Sequence, residues 1–72
     1  MINRDEVLIK RAEKVSEILA KEAAVEDYDG TEYVVFRNNS NVMDVFLVDD
    51  WQVKQLEPED WPDYLLDEAE LV

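Results

Sequence analysis

Two runs of β-forming residues flank four consecutive turn formers, and this arrangement constrains the chain more than any other. Tyr33-Val34-Val35-Phe36 and Val45-Phe46-Leu47-Val48 stand on either side of Asn38-Asn39-Ser40-Asn41. Branched and aromatic residues favour strands, and Asn and Ser favour tight turns, so residues 31–37 and 42–48 are expected to pair as a hairpin. Neither run alternates apolar with polar. Both faces of the hairpin are apolar, and each needs a cover.

The first cover is N-terminal. Residues 4–24 read as one amphipathic helix, capped by Asn3 with Glu6 at the capping-box position. Leu8, Ala12, Val15, Leu19 and Ala23 form its apolar stripe, widened by Ile9 and Ile18. Lys10, Glu13, Lys14, Glu17 and Lys21 fill the opposite face, where Glu6 with Lys10 and Glu17 with Lys21 have the favourable spacing of four. The second cover is left open: the C-terminal segment, a second copy or a partner.

After the hairpin, Asp49-Asp50 reads as a turn and residues 51–56 as a third strand, ended by Glu57-Pro58. Pro58 to Trp61 reads as a loop or single helical turn. Pro62 suits the first position of a last helix over 62–71, with Trp61, Leu65 and Ala69 on one face and Leu66 beside them. Asp67, Glu68 and Glu70 oppose that helix's dipole, so it needs docking or a partner. The expected fold is α+β: an amphipathic helix on a two- to three-stranded antiparallel meander, with a short C-terminal helix.

Seventy-two residues make one small domain, and the usual staples are missing. Without Cys or His there is no disulfide, thiolate metal site or imidazole base. A lone core of this size yields roughly 3–5 kcal/mol. Homodimerisation is one remedy. The N-terminus opens a polar helix without an apolar signal core, and the longest apolar runs are four residues, so no membrane span is expected. Cytoplasmic residence, in a cell or an infected host, is the expectation. Asn38-Asn39-Ser40 matches a glycosylation sequon but reads as a turn. Asp27-Tyr28-Asp29-Gly30 matches the centre of a calcium loop, yet that register puts Val25 and Phe36 at ligand positions. It too reads as a turn.

Charge is distributed unevenly. The net charge is −12, yet residues 1–24 are balanced, with five acids against five bases. Residues 25–72 hold fourteen acids against Arg37 and Lys54. Such a surface repels nucleic acid and membrane and attracts basic proteins. Catalysis is not expected: no nucleophile has a neighbouring base, and Gly30 is the only glycine, so no phosphate loop exists. No cofactor or metal is expected either.

A binding surface remains. Its candidate residues are Asp44, Asp49, Asp50, Trp51, Glu57, Glu59, Asp60, Trp61, Asp63, Tyr64, Asp67, Glu68 and Glu70. The principal reading is a non-enzymatic protein that occupies a basic, nucleic-acid-binding surface of another protein. Duplex DNA presents one charge per ~1.7 Å of axis, and strand or helix carboxylates repeat every ~5.4–6.8 Å. In size, charge and lack of catalytic residues the chain resembles small acidic phage proteins that block restriction, CRISPR or repair enzymes. No motif ties it to one such family. The alternative is a regulatory or antitoxin-like module that docks through an apolar sheet face or the C-terminal helix, with acids at the rim. In the plainest reading the acids are solvated surface, and Trp51 and Trp61 are core.

Overall fold

The computed structural model describes residues 2–70, and side chains as far as Leu66. Helix α1 spans Arg4–Val15, and four strands follow: β1 Glu22–Tyr28, β2 Thr31–Asn38, β3 Asn41–Asp49 and β4 Gln52–Gln55. A 3-10 turn at Pro58–Asp60 leads into α2, Asp63–Glu70. The sheet is an antiparallel meander in the order β1-β2-β3-β4. The fold is α+β as expected, with one strand more than the sequence suggested.

That extra strand comes from the expected helix over 4–24, which is wrong beyond Val15. Asn3 does cap α1: its Oδ1 accepts from the backbone N–H of Asp5 at 3.0 Å and of Glu6 at 3.4 Å. At Ser16 the backbone turns extended, with φ −70° and ψ 134°. The Ser16 hydroxyl accepts from Ile18 N–H at 3.2 Å, a local bond that competes with helical continuation. Residues 20–24 are good helix formers, but the sheet overrides that preference. Without β1, strand β2 would be an edge, with a row of unpaired backbone N–H and C=O groups. Instead Glu22↔Arg37 through Tyr28↔Thr31 pair in register, and Val34 and Val35 are buried. Ala23 and Val25 reach the core as alternate strand residues. Val15 and Leu19, expected on the core stripe, are 52% and 94% exposed.

The turns follow their residues. Asp29-Gly30 and Asn39-Ser40 each place both central residues at positive φ (53° and 80°, 52° and 73°), the twist that two-residue hairpins require. In the third turn Asp50 has φ 57°. Trp51, expected in a strand, belongs to this turn. Residues 52–55 of the expected 51–56 form the strand.

A bulge sorts the two faces. Register shifts between Phe36 and Arg37, which face Asp44 and Val42, so Met43 has no opposite number. Val42 and Val45 thereby share a face although three residues apart. On one face Leu8 and Ala12 of α1 pack with Val34, Phe36 and Phe46; Phe36 and Phe46 lie 5.6 Å apart. On the other, Leu65 of α2 packs with Val35, Val42 and Val45, flanked by Tyr33, Leu56, Trp61 and Tyr64. The C-terminal segment is therefore the second cover, and the domain has three layers. Ala69, expected on the docking face of α2, lies outside the residues whose side chains are described.

Candidate functional site

The thirteen candidate residues fall into three environments. Asp44 is misassigned as a surface acid. It lies in β3 on the α1 face and is 4% exposed. Its Oδ2 accepts from Ser16 Oγ at 2.8 Å and Gln55 Nε2 at 2.9 Å, and its Oδ1 from Val45 N–H at 3.1 Å. These are neutral donors, and they tie the end of α1 and strand β4 to the bulge. A carboxylate so occupied is structural.

Trp61 and Tyr64 also face inward. The Trp61 indole donates to the Leu56 carbonyl at 3.4 Å. The Tyr64 hydroxyl donates to Glu26 Oε1 at 2.8 Å, and its ring lies 4.7 Å from that of Tyr28. Glu26 in turn receives both guanidinium arms of Arg37 from the neighbouring strand. The Arg37 hydrogen bond holds the Glu26 carboxyl below its ordinary value of 4.5; burial opposes this, and Tyr64 and the Arg37 charge add to it. The group fastens α2 across β1. It was not foreseen, because an expected helix over 4–24 hides the strand that brings Glu26 beside Arg37.

The remaining candidates are at the surface. Asp49, Asp50, Glu57, Glu59, Asp60 and Asp63 are exposed, and among the described residues none is in an ion pair. Asp49 and Asp50 flank the β3–β4 turn, and the other four surround the 3-10 turn and the start of α2. Trp51 is 40% exposed, with the Arg4 guanidinium 5.7 Å above its ring. Asp67, Glu68 and Glu70 lie on the α2 backbone, but their side chains are outside those described.

The bases of α1 do not simply balance the acids of their own helix. Arg4 pairs with Glu32 on β2 at 3.0 Å and donates to the Asp50 carbonyl at 2.6 Å. Arg11 donates to the Trp51 carbonyl. Glu17 and Lys21, expected as a helical pair, lie beyond the helix end. The β3–β4 turn is thus pinned by two arginines, whereas Glu57, Glu59, Asp60 and Asp63 receive no ion pair from described residues. Among the described side chains, uncompensated acids gather from Glu57 to Asp63.

Among the described residues no three of His, Cys, Asp and Glu converge as metal ligands, and no helix is long and apolar enough to cross a membrane. Asp27 to Gly30, the segment tested for calcium, ends β1 and turns into β2. What the surface can do is offer carboxylates to a cation-rich partner. Comparison with protein-family models, curated proteins and solved structures finds no match to this chain.

Proposed function

We propose that the protein is a non-enzymatic acidic binder whose Glu57–Asp63 segment occupies a basic, nucleic-acid-binding surface on another protein. One observation carries this reading. Six exposed carboxylates between Asp49 and Asp63 lack a paired base among the described residues, in a chain of net charge −12. A cluster of one sign raises the association rate with an opposite partner and makes binding salt-sensitive. The alternative, a regulatory or antitoxin-like module docking through an apolar sheet face or the C-terminal helix, has less support, because α1 and α2 occupy both faces and Leu65 of α2 is itself buried against the sheet.

The test is charge reversal. A variant with Glu59→Lys, Asp60→Lys and Asp63→Lys is compared with the wild type for partners captured from the native cytoplasm. These positions are exposed, so each substitution is expected to shift stability by less than about 0.5 kcal/mol. Captured partners should be lost by the variant, released at about 0.5 M salt, and displaced by duplex DNA. Capture that survives reversal and salt would refute the reading.

A further inference from the structure

The six residues between α1 and β1 border a concavity, apolar on one side and polar on the other, that the fold leaves open. A cavity of about 150 Å³ is lined by Ile18, Leu19, Ala20, Ala23 and Phe36, together with Glu13, Ser16 and Glu17. Phe36 belongs to the buried core, and Ala20 and Ala23 pack against it, so the cavity reaches the core itself. Ile18, Leu19 and Val15 nearby are the large apolar side chains exposed on this side. Scattered exposed apolar residues are ordinary, but three within five positions beside a cavity are not scattered.

The segment is held rather than loose. Asn38 grips it from the end of β2, donating to the Leu19 carbonyl at 3.0 Å and accepting from Lys21 N–H. Ser16 closes its start through Ile18 N–H and Asp44. The backbone on each side of Leu19 is fixed while its side chain stays 94% exposed. Such preorganisation lowers the cost of ordering a binding surface.

We infer that this concavity is a socket for one bulky apolar side chain, flanked by lysine or arginine, on a partner protein. The inference rests on the reading of the protein as a binder of basic surfaces, and adds a second contact outside the Glu57–Asp63 segment. Volume sets the side chain: about 150 Å³, walled on one side by Ile18, Leu19, Ala20, Ala23 and Phe36, is room for a benzene-sized ring. Charge sets its neighbours. Glu13 and Glu17 line the cavity, whereas Lys14 and Lys21 of the same segment do not. A second copy is a poor occupant, because two chains of −12 repel.

The probe is a short peptide with one phenylalanine flanked on each side by lysine and arginine. A control peptide carries glycine in its place. Both are titrated into the full chain, with backbone amide shifts recorded at about 0.15 M salt. The phenylalanine peptide is expected to bind roughly ten-fold more tightly, shifting the amides of Ser16 to Ala20, Ala23 and Phe36. Ala20→Leu, which fills the cavity, should abolish that preference. Leu19→Ser tests the same loss at an exposed position that the fold does not need. Equal affinity for the two peptides, or shifts confined to Asp49–Asp63, would overturn the socket and leave the acidic-binder reading standing. No binding of either peptide at low salt would overturn both.

Discussion

Asp44→Ala separates a structural acid from a surface one. The carboxylate receives three hydrogen bonds, from Ser16, Gln55 and Val45, and is 4% exposed. A hydrogen bond to a charged group contributes about 1.5–3 kcal/mol, and a buried donor left unmade costs about 1–3 kcal/mol. Two of the donors recover partners when the carboxylate goes: Gln55 is exposed, and the Ser16 hydroxyl keeps a weak bond to the Ile18 carbonyl at 3.4 Å. Val45 N–H is inside the core. Removal of the burial cost of the charge also offsets part of the loss. The net expectation is about 2–3 kcal/mol. In a domain whose core yields roughly 3–5 kcal/mol, that is about two-fifths of the stability or more. At ~4–8 °C per kcal/mol the melting temperature should fall by about 10–20 °C. Asp44→Asn should cost about 1 kcal/mol, because the Ser16 hydroxyl and the Gln55 amide can each reverse and accept from its NH₂ group. Urea titration followed by far-ultraviolet circular dichroism measures both, with Asp60→Ala as the surface control. An Asp44→Ala variant within about 0.5 kcal/mol of the control would refute the structural role.

Three further outcomes follow from the same geometry. Leu65→Ala should cost about 2–4 kcal/mol, because Leu65 of α2 is fully buried; equilibrium urea unfolding checks it, and a loss below about 1 kcal/mol would mean that α2 is not docked. Ser40→Gly should stabilise by about 0.5–1 kcal/mol, since Ser40 sits at φ 73° where glycine carries no steric penalty; a lower urea midpoint for the variant would contradict the turn geometry. The pH response should show an acid limb set by Glu26. The Glu26 carboxyl is held below 4.5 in the folded state, so its contribution is present above the ordinary carboxylate range and is lost as pH falls through the folded value. Melting temperature should fall as pH drops below about 4, and Arg37→Met should flatten that fall. An acid limb unchanged in Arg37→Met would refute this account.

Local chemistry was legible wherever a residue type decides a conformation. The Asn-rich turn sets the central hairpin, observed at Thr31–Asn38 and Asn41–Asp49 against 31–37 and 42–48 expected. Asn3 caps α1, and Pro62 stands one residue before α2 rather than within it. What escaped depends on pairing. Residues 20–24 have helical propensities, and only the demand of β2 for a neighbour makes them strand. Asp29-Gly30 carried the clue: a two-residue turn of that kind joins two strands, so one had to precede it. The bulge at Phe36 and Arg37 is a property of register, not of either strand alone. Asp44 was counted with the surface acids because net charge does not distinguish faces. Its place between Val42 and Phe46, inside a buried strand, points the other way.

The contacts of α1 with the β3–β4 turn have a kinetic meaning. Arg4 and Asp50 are 46 residues apart, and Arg11 and Trp51 are 40 apart, whereas each strand pairs with its neighbour in sequence. The three hairpins close over short loops and can form early, but α1 must wait for distant residues. A twelve-residue helix is marginal alone in water. During synthesis at ~5–20 residues per second, the 46 residues from Arg4 to Asp50 take about 2–9 s to appear. Through that interval Leu8 and Ala12 have no core to enter. The helix that precedes the strands in the chain thus consolidates only after them, and destabilisation of α1 should raise the unfolding rate more than it slows folding.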